Sequence, residues 1–112
     1  MNPLTPAVFH ILLSLLQGER HGYAIMQDVA ALTGNSFSMG PGTLYGTLKR
    51  MLEANLVAEA GERRDPAMND ERRRYYKITD QGRKSALAEA KRLEMLVRSI
   101  PVRELLHPAE VT

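Results

Sequence analysis

The sequence predicts a mainly α-helical chain with one two-stranded β-hairpin, and three observations carry that prediction. Apolar residues recur at three-to-four spacing in three separate segments before residue 55. Between Leu56 and Thr79 the period shortens to two around a charged, turn-forming centre, "RRDPAMNDER". From Ala86 to Ile100 the spacing becomes four, three, four and three, which is the seam of a helix that pairs with another helix.

The first helix opens at Thr5-Pro6, where a hydroxyl can cap and the proline's missing N–H is no loss, and it ends near Gln17-Gly18. From Val8 to Leu16 it is apolar nearly all round, so it belongs at the centre of a subunit or between two subunits. The run is too short to span a bilayer and lacks a basic leader, so no membrane partner is expected. With no cysteine in the chain there is no disulfide framework or thiolate metal site, and a cytoplasmic protein is expected.

"GERHGY" reads as a turn. The second helix then carries Tyr23, Ile25, Met26, Val29 and Leu32 on its apolar spacing and stops at Gly34. A polar, glycine-rich connection, "NSFSMGPG", leads to a third helix that starts at Pro41 and ends near Asn55.

The third helix, within "GPGTLYGTLKRMLEANLV", has two faces. At 100° per residue Leu44, Leu48 and Met51 fall together with Leu52 beside them. Thr43, Gly46, Thr47 and Arg50 are expected on the far side, with Lys49 and Glu53 at its flank and Tyr45 at the boundary. A mid-helix glycine costs about 0.5–1 kcal/mol relative to alanine. Gly46 therefore implies either that a DNA phosphate or base edge comes close to the backbone, or that another protein helix packs there, or that the position merely tolerates glycine.

"LVAEAGE" and "RRYYKIT" form the hairpin. Alternation sends Arg74 and Tyr76 to one face of the returning strand and Tyr75 and Lys77 to the other. The tip also holds Asp65, Asp70 and Glu71, which are expected to pair with its arginines, so Arg73, Arg74 and Lys77 are the stronger candidates for contacts with an anionic partner. A last helix runs from a Thr79-Asp80 cap to about Ser99, with Pro101 soon after its stop. Its seam of Ala86, Ala90, Leu93, Val97 and Ile100 is the expected dimerisation surface.

Helix, helix, helix, strand, strand is the order of a winged helix-turn-helix, in which the third helix enters the DNA major groove. The chain thus divides into a winged helix-turn-helix at 1–79, a C-terminal dimerisation helix at 80–100 and a loosely held tail at 101–112. At 112 residues one core is expected, and a net charge of +2 says less about partners than the clustering of that charge at Lys49-Arg50 and Arg72-Arg73-Arg74. Thr43, Thr47, Lys49 and Arg50 are residue types that reach phosphates, and an arginine can also read guanine.

"HGYAI" at His21 to Ile25, "GTLYGTLKRM" at Gly42 to Met51 and "RRYYKITDQGR" at Arg73 to Arg83 together resemble the PadR family of bacterial transcriptional regulators. The single short last helix is similar to that of the smaller members, where it dimerises the protein. Two positions depart from the family's pattern: Gly46 stands where proline is common, and Asn55 where glycine is common. The resemblance implies a homodimeric repressor that places each third helix in one half of a near-palindromic double-stranded operator. It implies DNA contacts by Thr43, Tyr45, Thr47, Lys49 and Arg50, and a backbone contact by Tyr23. It also implies a small-molecule effector held between the paired last helices, for which Met95, Leu96 and Val97 are the candidate lining; the chain has no Trp to stack on such a ligand.

An enzyme is not expected. His10, His21 and His107 lack ligand spacing, Ser14, Ser36, Ser38 and Ser85 sit in no nucleophile setting, and there is no phosphate-cradling loop, so neither metal nor cofactor is expected. The rival reading is a winged-helix module that binds another protein without DNA.

Overall fold

The computed structural model describes residues 3–65, 67 and 71–109. Its elements run α1 (Pro6–Leu16), β1 (Arg20–His21), α2 (Gly22–Leu32), α3 (Pro41–Glu53), β2 (Val57–Asp65), β3 (Glu71–Ile78), α4 (Asp80–Arg98) and α5 (Ile100–Leu106). Among the described residues no helix is long and apolar enough to cross a membrane.

The helix termini form where the capping chemistry placed them. Thr5 caps α1, its hydroxyl accepting from the Val8 N–H at 3.3 Å, and Pro6 opens the helix. Pro41 opens α3, and Asn55 beyond its end takes the left-handed conformation with φ 59°. The apolar α1 packs against α2, α3, β3 and α4, which makes it the centre of the subunit. Ile11, Leu12 and Leu15 meet Ile25, Val29, Leu44, Leu48, Met51, Val57 and Tyr76 in one core. Ser14 is fully buried within this helix and donates to Asp28 Oδ2 at 2.7 Å; the same oxygen accepts from Arg20 Nε at 3.2 Å. That network ties α1, β1 and α2 together without leaving the hydroxyl unsatisfied.

The sheet differs from the expected hairpin. It has three antiparallel strands in the order β1-β3-β2, because Arg20 and His21 pair with Tyr76 and Tyr75. The two residues of β1 lie inside the turn "GERHGY", too short a piece for any period-two signal. β2 and β3 pair from Val57↔Ile78 out to Asp65↔Glu71, with a bulge between Glu59 and Glu62 where Gly61 takes φ 88°. Both strands therefore continue into the charged segment that composition suggested was loop.

The C-terminal region is the second correction. Residues 101–112 were expected as a loose tail, yet Ile100–Leu106 is a helix, with Pro101 in its first turn. Proline stops a preceding helix and starts a following one equally well, and Ser99 at φ −63° and ψ 153° is the break between α4 and α5. Residues 110–112 lie outside the described residues.

α4 is held to the winged domain at its first turn. Thr79 caps it, accepting from Gly82 N–H at 2.9 Å and donating to Asn55 O at 2.7 Å. A Cβ placed on Gly82 would lie 2.1 Å from Leu56 O and 2.8 Å from Ile78 Cγ1, so the helix lies directly on the start of the hairpin. One turn further on, Ala86 is 3% exposed. Glu89 is still buried and Leu93 half-buried against the start of α1, so this 19-residue helix is exposed on all described sides only beyond Leu93, and the longest extent is 61 Å.

Candidate nucleic-acid interface

α3 buries Leu44, Leu48 and Met51, as its apolar spacing predicted, and turns its other side outward. Thr43, Tyr45, Lys49, Arg50 and Glu53 are exposed. Gly46 lies at the middle of this outer face, and among the described residues a Cβ placed there would meet, besides its own helix backbone, Arg50 Nη1 at 3.8 Å. Among the described residues no other element comes within 4 Å of that position. The helix-packing reading of Gly46 therefore has no support within the subunit, and the open backbone faces outward.

Thr47 is not on this face. It is 2% exposed, because it lies only about 40° around the helix from Met51, and its hydroxyl donates to Thr43 O at 2.7 Å. Threonine can be buried this way because the carbonyl one turn back satisfies its single donor. The same oxygen accepts from Arg50 Nη2 at 3.3 Å, so Thr47 touches the outer face only through Arg50. Among the described residues neither Lys49 nor Arg50 is paired to a carboxylate.

Tyr45 rests on α2. A Cβ on Gly22 would lie 2.4 Å from its hydroxyl oxygen, so the glycine of "HGY" leaves room for this ring. Half the ring remains exposed, as does Tyr23 in the first turn of α2. The α2–α3 crossing thus seats the Tyr45 hydroxyl against α2 at Gly22 and leaves parts of Tyr45 and Tyr23 exposed.

The wing's charge is more neutralised than its composition suggests. Arg74 lies 3.4 Å from Glu59 and 3.7 Å from Glu62, and Arg72 lies 3.9 Å from Glu62. Arg73 pairs with Glu71 at 3.1 Å and approaches the Tyr23 ring at 5.9 Å, with its Nε buried and without a partner. Asp65 was expected to pair with a tip arginine but is bonded to His21 at 2.6 Å; Asp70 lies outside the described residues. Lys77 is exposed and in no ion pair among the described residues. Alternation holds on β3: Tyr76 is buried in the core, while Tyr75 on the other face meets the His21 ring edge-on at 5.3 Å.

The expected seam divides into two parts, and its last residue, Ile100, is not on α4 but opens α5 beyond the break at Ser99. Ala86 is buried within the subunit and Leu93 is half-buried, whereas Ala90, Val97 and Ile100 are exposed, Val97 and Ile100 at 53% and 70%. Met95 and Leu96 are exposed at 75% and 49% and line neither a cavity along α5 at Ile100, Arg103, Glu104 and His107 nor the cleft between α1 and α4. That cleft, of about 280 Å³, lies between the start of α1 and α4 and is lined by Leu4, Pro6, Phe9, His10, Glu89, Arg92 and Leu93. His10 Nδ1 is buried without a partner, and the ring packs edge-on to Phe37. Glu89 accepts from Arg92 Nε and Nη2 at 3.0 and 2.6 Å and from the Leu4 N–H at 3.3 Å. Periodicity could not find this cleft, since its walls are more than eighty residues apart in sequence.

Two carboxyls carry a pH dependence. The His21 hydrogen bond holds the Asp65 carboxyl below its ordinary value of 3.8, and the Arg92 hydrogen bond holds Glu89 below 4.5. A carboxyl depressed in the folded state contributes stability above its unfolded value and loses it as pH falls through the folded one. The melting temperature should therefore fall as pH drops below about 4, and Glu89→Gln should flatten part of that decline. A melting temperature constant from about pH 5 to 2 would contradict both assignments.

Known proteins share this arrangement. Residues 11–88 match the model of the "Transcriptional regulator PadR-like family". The chain is 39% identical over 75 residues to an uncharacterised protein of Lysinibacillus sphaericus, covering 65% of this chain and 64% of that protein. It is 33% identical over 91 residues to Transcriptional regulator Rv3488 of Mycobacterium tuberculosis, covering 81% of this chain and 78% of that one. In fold it is similar to a PadR family transcription regulator of Clostridium difficile R20291, with a TM-score of 0.70 at 22% identity over 91% of this chain and 98% of that one. The matched span, running from the central helix through the wing into the last long helix, leaves one conclusion: the chain belongs to the PadR-like family of transcriptional regulators.

Proposed function

We propose that the chain is a homodimeric repressor that binds a near-palindromic double-stranded operator through α3 and the wing, and that releases it in response to a small molecule. The observation that carries this reading is the outer face of α3, where an open glycine backbone sits between Lys49 and Arg50 and, among the described residues, no carboxylate neutralises either cation. Phosphates and base edges are the partners such a face suits. Thr43, Tyr23, Tyr45, Lys77 and Arg73 add donors around it; Arg74 joins them when DNA competes with Glu59 and Glu62. Thr47 acts through Arg50 and not by direct contact.

The second copy fits the exposed end of α4 together with the start of α5. Val97 and Ile100 carry apolar surface beyond the reach of their own domain, and pairing them would set two copies of α3 about one DNA turn apart, roughly 34 Å. The cleft between α1 and α4 is the place we assign to the effector, in place of Met95, Leu96 and Val97. It has apolar walls and an imidazole nitrogen with unused hydrogen-bonding capacity, and it adjoins the helix that pairs. Filling it would shift α4 and so the spacing of the reading helices.

Binding of genomic fragments containing the gene's own upstream region tests the reading. Arg50→Ala should weaken operator binding about tenfold and reduce the salt slope by about one contact, at unchanged thermal stability. Unaltered affinity removes Arg50 from the contact set. Gly46→Ala tests the open backbone separately. A Cβ meets only ordinary contact there, so the free protein should gain about 0.5–1 kcal/mol, while DNA affinity should fall if a phosphate or base edge lies against that position. A stabilised variant with full affinity would place DNA elsewhere.

A further inference from the structure

We infer that His21 and Asp65 form a latch that fixes the direction of the wing relative to α2, and that the wing's share of DNA binding depends on it. The second half of this inference rests on the DNA-binding reading above. His21 uses both ring nitrogens. Nδ1 accepts the Ala24 N–H at 3.1 Å and caps α2, so the proton of the neutral ring sits on Nε2 and is donated to Asp65 Oδ2 at 2.6 Å. The two side chains are 4% and 14% exposed. They lie 44 residues apart and join the start of α2 to the last residue of β2.

Position makes this bond decisive for the hairpin. β1 pairs with β3 at Arg20↔Tyr76 and His21↔Tyr75, so only beyond Tyr75 is the wing a two-stranded ribbon, marginal by itself, and the bulge between Glu59 and Glu62 interrupts the ladder partway along. The latch lies beyond the bulge, on the outer half. Beside it Arg63 donates to Glu19 Oε1 at 2.7 Å and covers the Tyr75 ring at 3.8 Å, and that ring packs on His21. The Arg63 pair is about half exposed and contributes little alone, whereas the His21 bond is shielded from water. The ion pairs of Arg72 and Arg74 run to Glu59 and Glu62 within the hairpin, so they cannot set its direction. Alternation puts Arg72 and Arg74 on the opposite face of β3 from Tyr75, where their charge is not consumed by the latch.

Three variants separate the parts. His21→Asn keeps a good helix cap but is too short to reach Asp65 as well, and it leaves the net charge unchanged. Asp65→Ala and Asp65→Asn remove the same negative charge, but only asparagine keeps an acceptor for Nε2–H, so the difference between them separates side-chain hydrogen bonding from the electrostatic gain of losing an acid; Asp65 Oδ1 also accepts the Ala67 N–H at 3.1 Å, and His21→Asn, which leaves that bond in place, isolates the latch. Asp65 ends a strand outside the core, so Asp65→Ala remains readable if His21→Asn unfolds. Hydrogen exchange in the free full-length protein is expected to quicken about tenfold in the wing strands of His21→Asn and Asp65→Ala while the core amides stay slow. Relative to Asp65→Asn, Asp65→Ala should bind operator about tenfold more weakly with a shallower salt slope, and Asp65→Asn should keep slow exchange. Wing exchange in Asp65→Ala as slow as in the unaltered protein would overturn the latch, and faster exchange with an unchanged salt slope would overturn its role in DNA binding. Should the unaltered protein bind no DNA, the operator reading fails, and with it the latch's role in binding, while exchange still decides the latch itself.

Discussion

Replacing Gly82 with alanine should cost about 3 kcal/mol of stability and lower the melting temperature by roughly 12–24 °C. The added methyl has nowhere to go. It would overlap Leu56 O at 2.1 Å, and a backbone carbonyl cannot swing aside as a side-chain end can. Relief requires α4 to lift from the hairpin, which also strains the Thr79 cap and its bond to Asn55 O. Gly42→Ala is the control, since nothing lies within 4 Å of its would-be Cβ. Both variants should be melted at one protein concentration, because the proposed pairing of two copies would contribute to apparent stability. A Gly82→Ala protein as stable as the Gly42→Ala control would contradict the seating of α4 on the wing.

Val97→Asp should abolish pairing and weaken operator binding by about a hundredfold or more, since each half-site then binds alone and an unpaired carboxylate opposes apolar burial. Val97 is the informative site because it is 53% exposed in the subunit, so a charge there leaves the fold intact. Leu93→Asp reads less cleanly, since Leu93 is half-buried against the α1 cleft and its loss also perturbs the subunit. Sedimentation at micromolar concentration should show single subunits for Val97→Asp. Intact dimers would move the pairing surface away from the exposed end of the seam.

Helix order, the apolar face of α3 and the returning strand were legible because each depends on residues close in sequence. Leu44, Leu48 and Met51 reveal their side by spacing, and Thr5, Pro41 and Asn55 mark boundaries by local backbone chemistry. What escaped depends on tertiary contact. Thr47 reads as polar surface until one sees that Thr43 O satisfies its hydroxyl in a buried position. β1 is two residues long and becomes a strand only because β3 passes beside it. Asp65 and His21, or Leu4 and Glu89, are joined by folding alone, and no periodicity links them. Pro101 gave the end of α4 correctly and hid the start of α5, since one residue type serves both signals.

Two copies of the chain are proposed to hold one duplex through the outer face of α3 and the wing. Equilibrium binding of the upstream fragment, followed from about 50 to 200 mM salt, tests this most directly. The predicted result is saturation at two chains per site, with affinity falling steeply as a power of salt concentration. Absence of binding at the lowest salt, or an affinity indifferent to salt, would contradict it.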